Sequence, residues 1–110
     1  MHDLDRITGD IIGAAMRVHS KLGPGLLESA YHACVARELR KRGLSLVGYR
    51  VDMLVESTVV VELKAIGRIL QVHRAQLLSH LRLGAYPVGL LINFNVLRLK
   101  QGISRVVNTR

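Results

Sequence analysis

Apolar residues return at intervals of three and four along the first stretch of the chain, where Ile7, Ile11, Ile12, Ala15, Val18 and Leu22 share one face of a helix expected over residues 7–22. Gly23-Pro24-Gly25 stops it. The helical interval resumes over 26–42, with Leu27, Ala30, Tyr31, Cys34, Val35 and Leu39 on the expected inner face. Arg37, Arg40, Lys41 and Arg42 gather at the end of this segment, where cations complement the helix dipole, and Gly43 suits the C-cap.

The period then turns from helical to extended. Residues 44–47 read as a short strand, 49–55 and 59–65 as two longer ones, and Glu56-Ser57-Thr58 as the turn between the longer two. A third helix is expected over 72–83, ending at Gly84, and the unbroken apolar run 88–94 has the composition of a buried strand. Residues 103–107 would add an edge strand. With no repeat, low-complexity tract or linker, the pattern describes one α/β domain over 1–110, a length that buries roughly two thirds of the surface its unfolded form exposes.

Register decides what the central hairpin presents. A loop of Glu56, Ser57 and Thr58 pairs Val55 with Val59 and unites Val51, Met53, Val55, Val59, Val61 and Leu63 on one face. The same register sets Asp52 across from Glu62 and Arg50 across from Lys64. A turn at Ser57-Thr58 alone would scatter the apolar set and separate the carboxylates. Directly opposed residues have Cβ atoms about 4.5 to 5.5 Å apart, so two ionised carboxylates there repel unless a cation lies between them. Hard oxygen ligands suit Mg²⁺ or Mn²⁺, and Lys64, two residues beyond Glu62, projects from the same face, where its ammonium can orient or help deprotonate an attacking water. The other reading of these residues is a polar hairpin face with exposed cross-strand ion pairs, each worth about 1 kcal/mol or less.

Composition narrows the partners. Sixteen Lys and Arg stand against eight Asp and Glu, for a net charge of +8 and an isoelectric point near 10.6, and twelve of the sixteen are Arg, whose planar fork grips phosphate oxygens in pairs. Nucleic acid, DNA or RNA, bound through its phosphate backbone, is the expected partner; a solvated basic surface is the other reading. No apolar run approaches the ~20 residues that span a bilayer, and Met1-His2-Asp3-Leu4-Asp5 lacks the basic-then-apolar order of a signal peptide, so the expectation is a cytoplasmic protein without a membrane. Cys34 stands alone, which excludes an intrachain disulfide or a zinc site of paired thiolates, and it is expected in the core of its helix.

Asp52 followed by Glu62-Leu63-Lys64 on adjoining strands, after a helix that carries Glu28, resembles the PD-(D/E)XK nuclease superfamily. More narrowly, the chain resembles the GxxExxY family through Gly25-Leu26-Leu27-Glu28-Ser29-Ala30-Tyr31, with Ile11-Ile12-Gly13-Ala14-Ala15 and Val18-His19 before it. Tyr49-Arg50-Val51-Asp52, Val61-Glu62-Leu63-Lys64-Ala65, Gln76-Leu77-Leu78 and Gly89-Leu90-Leu91-Ile92-Asn93-Phe94-Asn95 follow it in order. The resemblance implies a restriction-endonuclease-like core, a mixed β-sheet with helices packed on it. It also implies Asp52 and Glu62 as metal ligands, Lys64 as the water-orienting base, and Glu28 as an extra acidic ligand or water holder. Gln76 matches a helical glutamine that related nucleases place beside the metal, with His80 where a tyrosine follows. The residues themselves also read otherwise: Glu28 as an acid against a helix dipole, His80 as a surface histidine, and Tyr31 as a core aromatic. Between Gly43 and Tyr49 the chain has only Leu44-Ser45-Leu46-Val47-Gly48, where the family usually carries a further strand and turn. The sheet is therefore expected to be trimmed, which leaves a homodimer through an exposed edge open.

Two functions follow. One is a metal-dependent nuclease that hydrolyses phosphodiester bonds; the other is a catalytically inactive nucleic-acid-binding or protein-interaction domain derived from the same fold. A helix-turn-helix reader turning at Gly23-Pro24-Gly25 is disfavoured, because its second helix would open on Leu26-Leu27-Glu28 rather than on base-reading residues.

Overall fold

The computed structural model describes residues 3–48 and 52–109. Helix α1 (Leu4–Leu22) starts ahead of the apolar pattern because Asp3 caps it, its carboxylate accepting from the amides of Asp5 at 3.0 Å and Arg6 at 3.3 Å. Helix α2 (Glu28–Lys41) starts later than the pattern suggests, with Leu27 as its extended N-cap residue. Past its end Gly43 adopts φ +84°, a left-handed conformation in which a side chain would be strained.

Strands β1 (Leu46–Gly48), β2 (Asp52–Val55) and β3 (Val59–Lys64) follow, then α3 (Gln71–Gly84), β4 (Val88–Asn93), a single 3₁₀ turn (Leu99–Gly102) that the pattern did not signal, and β5 (Ile103–Val107). The expected strand residues Tyr49, Arg50 and Val51 lie outside the described residues. The sheet has five strands in the order β1-β2-β3-β4-β5, antiparallel except for the β3–β4 pair, which is parallel and is connected through α3. Sequence order and spatial order coincide, so one crossover suffices.

Both faces of the sheet are covered. Helices α1 and α2 lie on one, where Ile11, Ala14, Ala15, Val35 and Leu39 meet Met53, Val55, Val61, Leu63, Leu90 and Ile92. On the other, Leu77 and Leu81 of α3 close over Val60, Leu91 and Val106. Gly89 permits that approach, since a Cβ at this position would lie 3.0 to 3.1 Å from the Leu77 side chain. The hairpin turn keeps Glu56 and Ser57 at φ 54°, and it is tied down by the Glu56 carboxylate, which accepts from the Ser45 amide at 2.6 Å and the Ser45 hydroxyl at 3.0 Å.

Two expectations for α2 are corrected. Cys34 is exposed, because the inward line of the helix runs through Tyr31, Val35, Ala36 and Leu39 and leaves position 34 on a shallow cleft against α1. Leu27, which precedes the helix, is 77% exposed rather than inside. Tyr31, by contrast, is wholly buried: its ring stacks on Phe94 at 4.4 Å, and its hydroxyl donates to the Gly23 carbonyl at 2.6 Å while accepting from the Leu26 amide at 3.1 Å. Tyr31 therefore staples the loop between α1 and α2.

Tyr31→Phe keeps the stack and removes the staple, leaving the part-buried Leu26 amide and Gly23 carbonyl without their partner. The expected outcome is a loss of about 0.5 to 1.5 kcal/mol in stability, read as a lower urea midpoint at unchanged slope.

Candidate active site

Along β3 the side chains alternate between the two helical layers: Val59, Val61 and Leu63 enter the α1/α2 layer and Val60 the α3 layer, so Glu62 and Lys64 project from the α3 face. Glu62 is a charged residue in a strand flanked by β2 and β4, and only 7% of its surface is accessible. Lys64 stands where the strand leaves the sheet and is half-buried, its Nζ 3.7 Å from Glu62 Oε2. Charge-assisted hydrogen bonds between such groups run at about 2.7 to 2.9 Å, so the ammonium offsets the carboxylate's charge without closing on it. An exposed hairpin face of surface ion pairs is not what these two residues form.

The register is the one that the hydrophobic pattern selects: Val55 pairs with Val59, Leu54 with Val60, and Asp52 with Glu62. Asp52 is the first residue of β2 and is placed by this backbone register. Arg50, expected across from Lys64, lies outside the described residues. Among the described residues no group of three His, Cys, Asp or Glu side chains is gathered as a metal site.

One row beyond, Lys64 pairs with Asn93 of β4. Asn93 is 1% exposed, and its Oδ1 accepts from the amides of Ile66 at 3.1 Å and Asn95 at 3.2 Å while its Nδ2 donates to the Ile66 carbonyl at 3.0 Å. The Phe94 amide adds a bond to the Lys64 carbonyl at 2.8 Å. Together these fix the direction in which the chain leaves β3 and hence where Lys64 ends. Sequence reasoning gave Asn93 no such task. The available signal was an amide side chain closing an apolar strand.

Glu28 opens α2, on the opposite layer from Glu62 but at the same end of the sheet, since Tyr31 in the next turn stacks on Phe94 and Phe94 bonds to Lys64. Glu28 is half-buried and, among the described residues, makes no ion pair or hydrogen bond with Glu62 or Lys64. The stripe of His73, Gln76 and His80 on α3 divides. His73 Nδ1 accepts from the Leu70 amide at 2.8 Å and so caps the helix, His80 meets the edge of Tyr86 at 6.3 Å, and Gln76 is exposed. The residues of α3 that reach the sheet are Leu77 and Leu81.

A buried carboxylate, an acidic residue opposite it in register and an ammonium at the mouth are hard, oxygen-rich and polarised. Carboxylate oxygens are hard donors of the kind that small divalent cations take. A family model described as PD-(D/E)XK nuclease superfamily matches residues 5–106. The chain belongs to the PD-(D/E)XK nuclease superfamily. No curated protein and no solved structure compared with it matches. The mixed five-stranded sheet between helical layers is consistent with the restriction-endonuclease-like fold of that superfamily. The matched range includes Asp52 and Glu62-Leu63-Lys64.

Replacing Asn93 by Ala removes the clamp without altering the Glu62 or Lys64 side chain itself. We expect a stability loss of about 1 to 3 kcal/mol and, in native-state hydrogen exchange, faster exchange of the Ile66 and Asn95 amides than of amides in α1.

Proposed function

We propose that the protein is a metal-dependent nuclease that hydrolyses phosphodiester bonds of DNA or RNA, and that its narrower kinship is with the GxxExxY family. The observation that carries this is the burial of Glu62 to 7%, opposite Asp52 in register and 3.7 Å from the Lys64 ammonium. An ionised carboxylate removed from water costs several kcal/mol and is kept where cations gather on it; the Lys64 ammonium is one such cation, and a Mg²⁺ or Mn²⁺ ion on the same oxygens would be another. The chemistry of the donor set suits such an ion, since carboxylate oxygens are hard ligands and Mg²⁺ or Mn²⁺ keeps waters and open positions for a phosphate oxygen.

Asp52 and Glu62 would hold the metal, and Glu28 would reach round the end of the sheet as a further acidic ligand or as a holder of water. When bound, the ion polarises the scissile phosphate and acidifies a bound water. Lys64 orients the attacking water and offsets charge that develops on the phosphorus, a task for which its position at the strand exit, fixed by the Asn93 clamp, is suited. Gln76, exposed on α3, would meet substrate rather than metal. The excess of arginine supplies the grip on the phosphate backbone.

One observation favours a second reading. Among the described residues neither Glu28 nor Gln76 forms an ion pair or hydrogen bond with Glu62 or Lys64, as fits a relative that folds and binds without cleaving.

Single-stranded and duplex DNA and RNA, each incubated with the protein in Mg²⁺, in Mn²⁺ and in chelator, separate the two. The nuclease reading expects cutting that chelator abolishes and that Asp52→Asn, Glu62→Gln and Lys64→Met each reduce by about a hundredfold or more, with circular dichroism unchanged. Retained binding with no cutting, unaffected by the three substitutions, would establish the binding domain instead.

A further inference from the structure

A second polar cleft opens on the α3 face of the sheet, about 320 Å³ in volume, lined by Gly67, Arg68, Arg74, Asn93, Gln101 and Ser104 among others. The sheet register gives its distance from Glu62. Glu62 pairs with Leu91 and Leu91 with Ser104, so Ser104 lies in the same row and on the same face, two strand spacings or about 10 Å away. Asn93, register partner of Lys64, forms the near wall.

The lining is one-sided in charge. Arg68 and Arg74 are both exposed and, among the described residues, neither side chain has an ion pair or hydrogen bond, whereas Arg17 and Arg42 close on Glu38 and Arg105 closes on Asp5. Among the described residues no Asp or Glu lines the cleft. Ser104 and Gln101 add a hydroxyl and an amide that can donate. The start of α3 at Gln71 borders the cleft through Ile69 and Arg68, so the positive end of a helix dipole adds to the same field. Two free guanidinium forks, neutral donors and no carboxylate match a phosphate group.

We propose that this cleft is a second phosphate subsite, holding a phosphate of the nucleic-acid strand away from the bond at Glu62, with Arg68 and Arg74 as its counter-ions and Ser104 and Gln101 as donors. About 10 Å corresponds to roughly three nucleotides of rise along a duplex and fewer on an extended single strand. The subsite rests on the nuclease reading for its relation to the scissile bond, and on its own lining for the binding of phosphate. It fixes the side toward which the substrate strand runs, out over β4 and β5. The phosphate is either a terminal monoester or an internal diester, and the two are separable.

The test is binding of labelled short single-stranded DNA and RNA, carrying a 5′-phosphate, a 3′-phosphate or neither, to the whole protein in chelator. Arg68→Gln/Arg74→Gln is compared with Arg37→Gln/Lys41→Gln, an equal charge loss on the α1/α2 cleft. The expected result is a loss of about tenfold or more for the first pair alone, with a salt slope reduced by roughly 0.7 for each phosphate contact removed. Dependence on a terminal phosphate identifies the monoester; equal loss on all three oligonucleotides identifies the diester. Equal losses for both pairs, or none for Arg68 and Arg74, overturn the subsite. Because no cleavage is read, an inactive protein whose binding needs these arginines would overturn the nuclease reading and keep the subsite, and an active one whose binding ignores them would do the reverse.

Discussion

Strand β3 has no face turned to water. Helices α1 and α2 cover one side, α3 covers the other, and β2 and β4 occupy its edges. Every residue from Val59 to Leu63 is therefore buried, and in such a strand an apolar residue is the default. Glu62 breaks that rule where the strand approaches its carboxyl end, and a carboxylate there costs several kcal/mol to desolvate, so it stands only with partners for its charge, of which the Lys64 ammonium is one. A leucine of similar size would pack against Leu91 with no such cost. Among the described residues Glu62 is the one acid that is buried, and this singles it out.

The remaining polar order of the molecule collects at the same end. Asn93 clamps the exit of β3, Phe94 bonds to Lys64 and stacks on Tyr31, and His19 Nε2 donates to the Val96 carbonyl at 2.8 Å. These contacts join α1, α2, β3 and β4 at one edge, so the start of α2 and the mouth of the Glu62 site are held in one frame. Open sheets with parallel strands bind ligands outside the carboxyl ends of those strands, and the only parallel pair among the described strands, β3 and β4, ends here. The loop that follows β3 and the turn that precedes β5 then enclose the arginine-lined cleft beside it.

Charge is distributed unequally over this frame. Glu38 takes two arginines, Arg17 and Arg42, on the outer side of the α1/α2 layer, and Asp5 takes Arg105. With eight acids against sixteen bases most cations have no acidic partner to find, and those near the carboxyl ends of β3 and β4 sit beside a polar cleft. A general basic surface becomes a directional one there, because two exposed arginines line one concavity.

Much of this was legible in the sequence, and for local reasons. The three-and-four spacing of Ile7 to Val18 and of Tyr31 to Leu39 fixes two helices, and the alternation around Glu56-Ser57-Thr58 fixes the pairing of Val55 with Val59 and so of Asp52 with Glu62, since a slip of one residue would turn every apolar side chain to the wrong face. Helix limits and the 3₁₀ turn depended on caps and on packing that periodicity does not record, and Cys34 lay outward because a helix face is narrower than its list of apolar residues. What only the tertiary structure decided is which face of the hairpin α3 covers, that Glu62 is thereby buried, that Asn93 orders the exit of β3, and that Arg68 and Arg74 meet Ser104 across the sheet. Each of these joins residues far apart in the chain. Periodicity fixes a residue's face within its own element, and only the packing of elements decides what that face meets.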